Sequence, residues 1–433
     1  MPEKNTKVVL ELFKSALEKK LTEIPPSKIL VSSTKIEISR GENNSVRGHG
    51  STTQTSIESD FEPIFKASIK DIETDENFLL LSNGIKMKGN MPHPSPYEAL
   101  SIILFDAGRL LISGKKMSEI LPNFYQQYQN LVENAGLTYG ITFAEGIQLA
   151  TSPLVLDSNY SLRWVENEDM ESLVKPYTQN IFSESFDCAL EFSSKSEDRS
   201  LHYARDKFFQ EVRLFSINSA SPSVTLTRGI HPRFPRGAMY GHEKNDNHWK
   251  IVLDNQKLDE FLKFRSFLDN INFFKELNST SYSFGLERYN DAILRNVSVA
   301  EKLTFAVIGL ESFFTDGRDE ISYKLSMRCS KLASWIGIEP NQAFRKLKKA
   351  YGLRSDYSHG KSYNQNQSKE AAELIEPICN LLRISILLFA VFEKQGTSRD
   401  SLLSKIDSTL ITPYEDKVTR EKLLEQLNGI KLN

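Results

Sequence analysis

The sequence of 433 residues predicts an α+β protein in which a mixed α/β region is followed by an all-α helical bundle. Two observations support this division. Before Tyr282, amphipathic segments alternate with segments rich in β-branched and aromatic residues, and after it apolar residues recur at helical spacing through four successive segments. We place the mixed region at residues 1–283, the helical domain at 284–396 and a helical tail at 397–433.

The amino-terminal region has the weaker pattern. Residues 8–24 and 117–134 have helical periodicity, whereas residues 78–87 and 209–227 combine β-branched or aromatic residues with nearby turn formers and predict strands. No internal repeat or cofactor motif stands out in this part of the sequence. We expect the region to sense a signal or to restrain the helical domain.

Two further segments of this region predict loops or insertions, the Ser-, Thr- and Asn-rich residues 39–56 and the turn-rich residues 230–247. Histidines and arginines lie in or beside the second segment: His231, Arg233, Arg236, His242 and His248. The histidine spacing matches no common zinc pattern, and no cysteine accompanies it. A surface or structural role is therefore favoured for these residues. Binding of a trigger or of nucleic acid is the second alternative, and a metal site is the least favoured.

The helical domain begins with three segments whose ends are marked in the sequence. Residues 298–301 read as a Ser-x-x-Glu capping box ahead of an apolar stripe at helical spacing. A second helix starts at about Ile321, and Gly337 is positioned to end it. The third opens with Pro340 near its first turn and is predicted to stop at Gly352.

A fourth and strongly apolar helix is predicted from about Ser368 to Lys394, after a polar connector at residues 364–367. Pro377 is expected to kink its first half. Its apolar run, residues 384–392, is too short to span a bilayer, which takes about 20 residues, and Arg383 interrupts the approach. The segment predicts a buried bundle helix and no membrane partner.

Arg354 and His359 lie five positions apart, directly after the third predicted helix. The guanidinium group matches phosphate geometry at any working pH and imidazole exchanges protons near neutrality, so the pair can hold a phosphodiester and move its protons. Taken alone, the spacing favours a loop in which Arg354 pairs with Asp356 and His359 is solvated, because an Arg and a His this close occur by chance in many proteins. In one continuous helix, about 100° per residue would separate the two side chains by about 140°, which presents them poorly to one phosphate.

Three segments of this domain occur together: residues 309–314 (Gly-Leu-Glu-Ser-Phe-Phe), 321–328 (Ile-Ser-Tyr-Lys-Leu-Ser-Met-Arg) and 351–360 (Tyr-Gly-Leu-Arg-Ser-Asp-Tyr-Ser-His-Gly). In their order and spacing the chain resembles the ApeA-like branch of the HEPN domains, over residues 284–396. The resemblance implies a compact all-α domain that usually dimerises. It also implies a metal-independent ribonuclease site in which Arg354 and His359 are the catalytic pair.

The resemblance assigns supporting residues as well. The family's Glu and Arg fall on Glu311 and Arg328, which we expect either to support the site or to form a buried ion pair. Ser355 and Tyr357, between the catalytic residues, are further support residues. Some toxin branches carry a tyrosine two positions after the histidine, but Lys361 occupies that position here, so regulation by modification of that tyrosine is not expected.

The composition is typical of an intracellular protein. Three cysteines are widely spaced, and Cys329 and Cys379 lie among apolar helix positions, so buried thiols are favoured over disulfides or a zinc site. The amino terminus is amphipathic and rich in Lys and Glu rather than an apolar signal segment. We therefore expect a cytoplasmic protein with no metal and no cofactor.

The net charge of -2 hides a basic stretch, because residues 320–361 contain nine Lys or Arg against three Asp or Glu. An ordinary solvated helix face would explain such a run in isolation. Since this run leads into the Arg354 and His359 segment, a surface that follows RNA phosphates is an equal alternative. The residues assigned to that surface are Arg345, Lys346, Lys348, Lys349 and Lys361.

Together with the resemblance, these observations predict a metal-independent endoribonuclease in which the ribose 2′-hydroxyl attacks its own phosphate. The resemblance implies that it serves as a phage-defence (abortive infection) or toxin effector. We expect a homodimer that acts on RNA, with a phage or cellular trigger sensed by the amino-terminal region. The rival is a non-catalytic HEPN module that binds RNA, a nucleotide or a partner protein. A third interpretation makes the helices a dimerisation platform and places the function in the amino-terminal region.

Overall fold

The computed structural model describes residues 2–22, 34–40, 46–52, 58–85, 96–112, 114–133, 137–165, 182–195, 201–228, 235–240, 249–275, 282–317 and 319–432. The chain is a mixed α+β protein with a helical carboxyl-terminal part. It divides into two compact units. The first comprises Met1–Ala144, Ser152–Arg205 and Ser223–Tyr240, and the second comprises Glu145–Thr151, Asp206–Pro222 and Gly241–Asn433.

Five helices of the first unit surround an apolar core: α1 Pro2–Thr22, α2 Glu58–Lys70, α3 Glu76–Gly84, α4 Pro96–Ile112 and α5 Met117–Glu133. Phe13, Phe65, Phe78 and Phe124 are fully buried in it, which removes a large apolar area from water. The helices predicted at 8–24 and 117–134 are confirmed by α1 and α5 within the described residues.

The strand predicted at residues 78–87 is wrong, because α3 occupies its described part up to Gly84. Asp75 caps this helix by accepting the backbone N–H of Asn77 at 2.8 Å. Phe78 and Leu81, three positions apart, are both buried, which is the spacing of a helix face rather than a strand. The apolar content of the segment therefore serves helix packing.

The strands that the structure describes form three sheets. The strands are β1 Thr34–Arg40, β2 Val46–Thr52, β3 Leu137–Glu145, β4 Ile147–Leu149, β5 Leu154–Val155, β6 Tyr160–Arg163, β7 Phe182–Phe186, β8 Cys188–Lys195, β9 Ser221–Arg228, β10 Pro235–Tyr240 and β11 Ile251–Leu253. The sheet orders are β1-β2-β7, β10-β9-β3-β8-β6-β5 and the parallel pair β11-β4. Within the first, β1 and β2 pair antiparallel, with Thr34 opposite Thr52 and Arg40 opposite Val46.

Three sequence predictions are corrected by these strands. Residues 39–56 were expected to be loop but include the end of β1 and all of β2. Residues 209–227 are helical as far as Phe215, in α6 Leu201–Phe215, and only then extended in β9. Residues 230–247 contain β10, which pairs antiparallel with β9.

The histidine and arginine cluster falls mainly outside the described residues. This holds for His231, Arg233, His242 and His248. The backbone of Arg236 lies in β10, and its side chain is outside the described part of the chain.

The helices of the second unit, after the carboxyl-terminal part of α6, are α7 Asn255–Asn270, α8 Ser283–Leu294, α9 Val299–Phe314, α10 Ile321–Ser334, α11 Pro340–Ser358, α12 Gln365–Lys394, α13 Arg399–Ile411 and α14 Pro413–Leu427. Ser298 and Glu301 form the predicted capping box of α9. Gly337 follows α10 with φ 92°, the left-handed conformation that a glycine adopts at least cost. The local signals at these helix ends are thus confirmed.

Helix α11 does not stop at Gly352 but continues to Ser358. Ala343, Leu347, Ala350 and Leu353 are all buried and recur at helical spacing across the glycine. This apolar face holds the helix in place, because a single exposed glycine weakens a helix without ending it. Arg354 is therefore a helix residue and not a loop residue.

Helix α12 begins at Gln365, so the predicted polar connector is its first turn. Asn364 caps it by accepting the backbone N–H of Gln367 at 2.9 Å, and Pro377 lies inside it. The whole helix, unlike its apolar run at 384–392, is long and apolar enough to cross a membrane. Because 83% of its apolar window is buried within the protein, this is weak evidence for a membrane span.

Contacts within the second unit extend across the boundary placed at residue 283. The Tyr289 hydroxyl donates to the carbonyl of Arg213 at 2.8 Å, and Arg383 donates to the carbonyls of Leu214 and Phe215 at 2.8 and 3.1 Å. Arg383 is 3% exposed, so these acceptors at the end of α6 compensate for its burial. The helices after residue 283 are packed as part of a larger unit.

Candidate functional site

The predicted site lies at the carboxyl-terminal end of α11. Arg354 is in its last turns, and its Nη2 donates a hydrogen bond to Glu311 Oε2 of α9 at 2.9 Å. The side chains of Arg354 and Glu311 are 23% and 17% exposed. Tyr351, one turn earlier, places its ring 5.8 Å from the guanidinium carbon. The guanidinium group is thus directed from α11 toward α9.

This ion pair is incompletely satisfied. Arg354 Nε and Glu311 Oε1 are both buried without a hydrogen-bond partner among the described residues. Burial raises the pKa of the Glu311 carboxyl, and the Arg354 charge opposes that rise only in part. A guanidinium fork can make two parallel bonds to an oxyanion, and here it makes one. Arg354 is therefore held to Glu311 by one hydrogen bond rather than by the full fork.

His359 occupies the capping position at the end of α11. Its backbone N–H donates to the Ser355 carbonyl at 3.1 Å, while its side chain is exposed and makes no hydrogen bond with any described residue. Five residues of helical backbone turn its side chain by about 140° from that of Arg354. The two groups therefore face different sides of α11, one toward α9 and one toward solvent.

The residues around the pair form a polar turn. Asp356 accepts from Lys361 Nζ at 2.7 Å and from Gln367 Nε2 at 3.4 Å, so Arg354 does not pair with it. Tyr357 and Tyr363 stack edge to face, with 5.9 Å between ring centroids. Burial and the neighbouring Asp356 raise the pKa of Tyr363 to about 12.

Of the two support residues in this turn, Ser355 contributes its carbonyl to the His359 cap. Tyr357 contributes its ring to the stack with Tyr363. Tyr363 is not among the site residues predicted from the sequence. Its position four residues after His359 is the signal that could have pointed to it.

The basic residues of α11 lie on its solvent side. Arg345, Lys348 and Lys349 are exposed, and Lys346 is half-buried. Lys349 pairs with Glu370 of α12 at 2.6 Å, whereas Lys346 and Lys348 form no ion pair with described residues. A cavity of about 400 Å³ beside them is lined by both signs of charge, including Glu339, Arg345, Lys346, Lys349, Glu370 and Glu373.

Arg328 does not pair with Glu311, so the ion pair considered from the sequence is wrong. Its Nε and Nη2 donate to Asp407 at 2.8 and 2.7 Å, its Nη2 also donates to Asp316 at 2.9 Å, and its Nη1 donates to the Phe314 carbonyl at 2.8 Å. The Arg328 and Lys324 hydrogen bonds hold the pKa of Asp316 well below its usual range. Arg328 fastens α10 to the end of α9 and to α13.

A second basic side chain reinforces this junction. Arg399 donates from Nε to the Ser312 carbonyl at 2.9 Å and from Nη2 to the Thr315 carbonyl. Carbonyls at the end of α9, which have no partner inside the helix, are thereby satisfied by two guanidinium groups. The adjoining cavity of about 580 Å³ is lined by Arg328, Arg399, Asp316, Asp400 and Asp407. Both cations in it are engaged in structural contacts.

Comparisons with known proteins add no assignment to this geometry. No protein-family model, no curated protein and no solved structure matches the chain significantly. Among the described residues, no group of three or more His, Cys, Asp or Glu side chains is placed to hold a metal ion. The site is therefore defined by its own side chains, Glu311, Arg354 and His359, and by the basic face of α11.

Proposed function

We propose that the protein is a metal-independent endoribonuclease of the HEPN type, acting as a phage-defence or toxin effector. The observation that carries this proposal is the position of Arg354 and His359 on one helix end, with a half-buried carboxylate behind the arginine and exposed cations leading to the histidine. A fixed cation and an accessible imidazole are what phosphodiester cleavage by an internal hydroxyl requires.

In the proposed reaction, the ribose 2′-hydroxyl attacks the adjacent phosphorus and the bond to the 5′ oxygen of the next nucleotide breaks. His359 removes the hydroxyl proton or, in its protonated form, donates a proton to the leaving oxygen. Arg354 stabilises the charge that develops on the nonbridging oxygens. The products are a 2′,3′-cyclic phosphate and a free 5′-hydroxyl, so neither water nor an external nucleophile enters this step.

Glu311 is a positioning residue in this proposal. By accepting a hydrogen bond from Nη2 it restricts the rotamers of a long side chain that otherwise loses much conformational freedom on binding phosphate. Because its carboxylate also competes with phosphate for the guanidinium, its removal has two opposing effects on catalysis. We therefore assign the essential chemistry to Arg354 and His359.

The angular separation of these two side chains supports a dimeric site. With the groups about 140° apart on α11, a single protomer presents them to different directions. A homodimer that brings two copies of this helix end together would allow Arg354 of one copy and His359 of the other to reach one phosphate. In the same proposal the amino-terminal region senses a phage or cellular trigger and restrains the dimer in the cytoplasm until the signal arrives.

The test is cleavage of mixed RNA by the purified full-length protein in chelator, with wild type compared with His359→Ala. His359→Ala and Arg354→Ala should abolish cleavage, and Arg354→Lys should largely fail because a point charge does not reproduce the guanidinium fork. Ser358→Ala, an exposed neighbour on the same helix end, is the matched control and should cleave normally. Full cleavage by His359→Ala, or a strict magnesium requirement, refutes the proposal.

Two further readouts follow from the same preparation. Products should end in 2′,3′-cyclic phosphate, and dilution should reduce specific activity if two copies form the site.

Truncation at Tyr282 is a poor test of restraint by the amino-terminal region. It removes the α6 carbonyls that accept from Arg383 and so damages the folded unit.

A specific observation favours a second function, that of a non-catalytic module that binds RNA, a nucleotide or a partner protein. Arg354 is held by Glu311 and points away from His359, as expected if the arginine serves packing. In that case the basic face binds a ligand that is not turned over. Saturable RNA binding without any product, unchanged in His359→Ala, identifies this alternative.

A further inference from the structure

Gly352 is an unexplained residue in the middle of α11. It is exposed, its φ is not positive, and a Cβ added to it would meet no atom of the described residues within 4 Å. Neither backbone conformation nor packing inside the chain therefore requires a glycine at this position. Glycine is also among the worst residues for a helix interior, whereas alanine is the best. The residue is unfavourable for the helix that contains it, so its presence calls for a reason outside the folded chain.

The position of Gly352 on the helix supplies such a reason. Relative to Arg345, the side-chain directions of Lys348, Gly352 and His359 all fall within about 60° around the helix axis. These residues are exposed, so they form one continuous face on the solvent side of α11. In this face Gly352 is a gap without a side chain, about 6 Å along the axis from Lys348 and about 10 Å from His359.

We propose that this face, Arg345, Lys348, Gly352 and His359, is a binding track for single-stranded RNA in which Gly352 lets a nucleotide lie directly against the helix backbone. The inference rests on the proposed function and deepens it by defining how the strand approaches His359. From Arg345 to His359 the track is about 21 Å long, enough for several nucleotides at a phosphate spacing of at least about 3.4 Å.

The charges of the track favour RNA over a second copy of the chain. Lys348 forms no ion pair with the described residues, and Asp356 on the same side is already bound by Lys361 at 2.7 Å. A polyanion can neutralise Arg345 and Lys348 together and place a phosphate at His359. A second copy of the face would present the same cations. A glycine where strand and backbone meet also removes the steric barrier to stacking or sugar contact.

The test is Gly352→Ala, measured in the Arg354→Ala protein, which should leave the RNA intact and keeps all four residues of the track. Affinity is measured by fluorescence anisotropy with a short labelled single-stranded RNA of mixed sequence. We expect about tenfold weaker binding, while the melting temperature rises by about 2 to 4 °C because alanine favours the helix. A loss of binding in a more stable protein separates ligand contact from misfolding. Gly352→Leu should bind RNA more weakly still.

Gly317→Ala is the matched control. In the part of the chain that the structure describes, Gly317 likewise has no atom within 4 Å of an added Cβ and no positive φ, but it lies between α9 and α10. It should leave RNA affinity unchanged. Unaltered affinity in Gly352→Ala overturns the inference, and so does a change in oligomeric mass by light scattering, which would assign the face to a second copy.

The outcomes distinguish this inference from the proposed function. If the wild-type protein cleaves RNA and Gly352→Ala cleaves it with the same kcat/KM, the ribonuclease stands and the track is wrong. If the wild-type protein neither binds nor cleaves RNA, both are wrong. A rise in KM with little change in kcat for Gly352→Ala supports the track, because a contact made equally before and during the reaction affects binding alone.

Discussion

Arg328 offers the sharpest test of how the helical unit is held together. It is 5% exposed and donates four hydrogen bonds, three to the carboxylates of Asp316 and Asp407 and one to the carbonyl of Phe314. Replacement by alanine removes all four at once and leaves the Phe314 carbonyl without this donor. We expect Arg328→Ala to destabilise the protein substantially while leaving the arrangement of Arg354 and His359 in place.

The magnitude follows from the exposure of the partners. Breaking a fully buried ion pair costs about 3 to 5 kcal/mol because a desolvated charge is left behind. Here the Asp316 and Asp407 side chains are 40% and 46% exposed, so water can solvate both after the change. Arg328→Ala then loses one charge-assisted hydrogen bond to the Phe314 carbonyl and the paired hydrogen bonds to Asp407. We expect the free energy of unfolding to fall by about 3 kcal/mol, which lowers Tm by roughly 6 to 12 °C for a unit of this size.

Urea denaturation followed by circular dichroism measures this free energy, provided that the slope with denaturant is unchanged. A double-mutant cycle identifies the partner: coupling with Asp407→Ala should exceed about 1 kcal/mol, and coupling with Glu311→Ala should be near zero. Lys349→Ala, which breaks an exposed pair, should unfold at the same urea concentration as wild type. A free energy of unfolding for Arg328→Ala equal to that of wild type, or stronger coupling to Glu311, contradicts the reasoning.

Three further predictions concern titration and burial. Burial raises the pKa of the Glu311 carboxyl in the folded protein. The stability that its protonated form contributes is therefore present below about pH 4.3 and is lost as pH rises through the folded pKa. Between about pH 4 and pH 7, Glu311→Gln should gain in free energy of unfolding relative to wild type. Asp316 has a lowered pKa, so Asp316→Asn should be less stable than wild type near neutrality, and denaturation should show this difference shrinking below about pH 3.9. Arg383→Ala should lower Tm by more than His359→Ala does. Arg383 is 3% exposed and donates to the carbonyls of Leu214 in α6 and of Leu432, whereas the His359 side chain is exposed. Equal melting curves for the two variants would contradict this.

Local signals allowed the sequence to predict much of the helical part. Ser298 and Glu301 lie three positions apart, and a capping box depends on those two side chains and the first helical turn, so it was correctly placed. Gly337 ends α10 for an equally local reason, its positive φ. By contrast, the apolar residues at 78–87 were assigned to a strand, because a short apolar run is ambiguous between the two periodicities until its packing partners are known.

By itself, the sequence determined the succession of α9, α10, α11 and α12, the capping box of α9 and the placement of Arg354 and His359 next to a basic stretch. Only the tertiary structure decided which charges meet. Arg354 pairs with Glu311, 43 positions away, and Arg328 pairs with Asp407, 79 positions away in the helical tail. Such pairings depend on the rotation and spacing of packed helices, which no local pattern encodes. The same packing carries α11 past Gly352, because buried residues on both sides of the glycine hold the helix together.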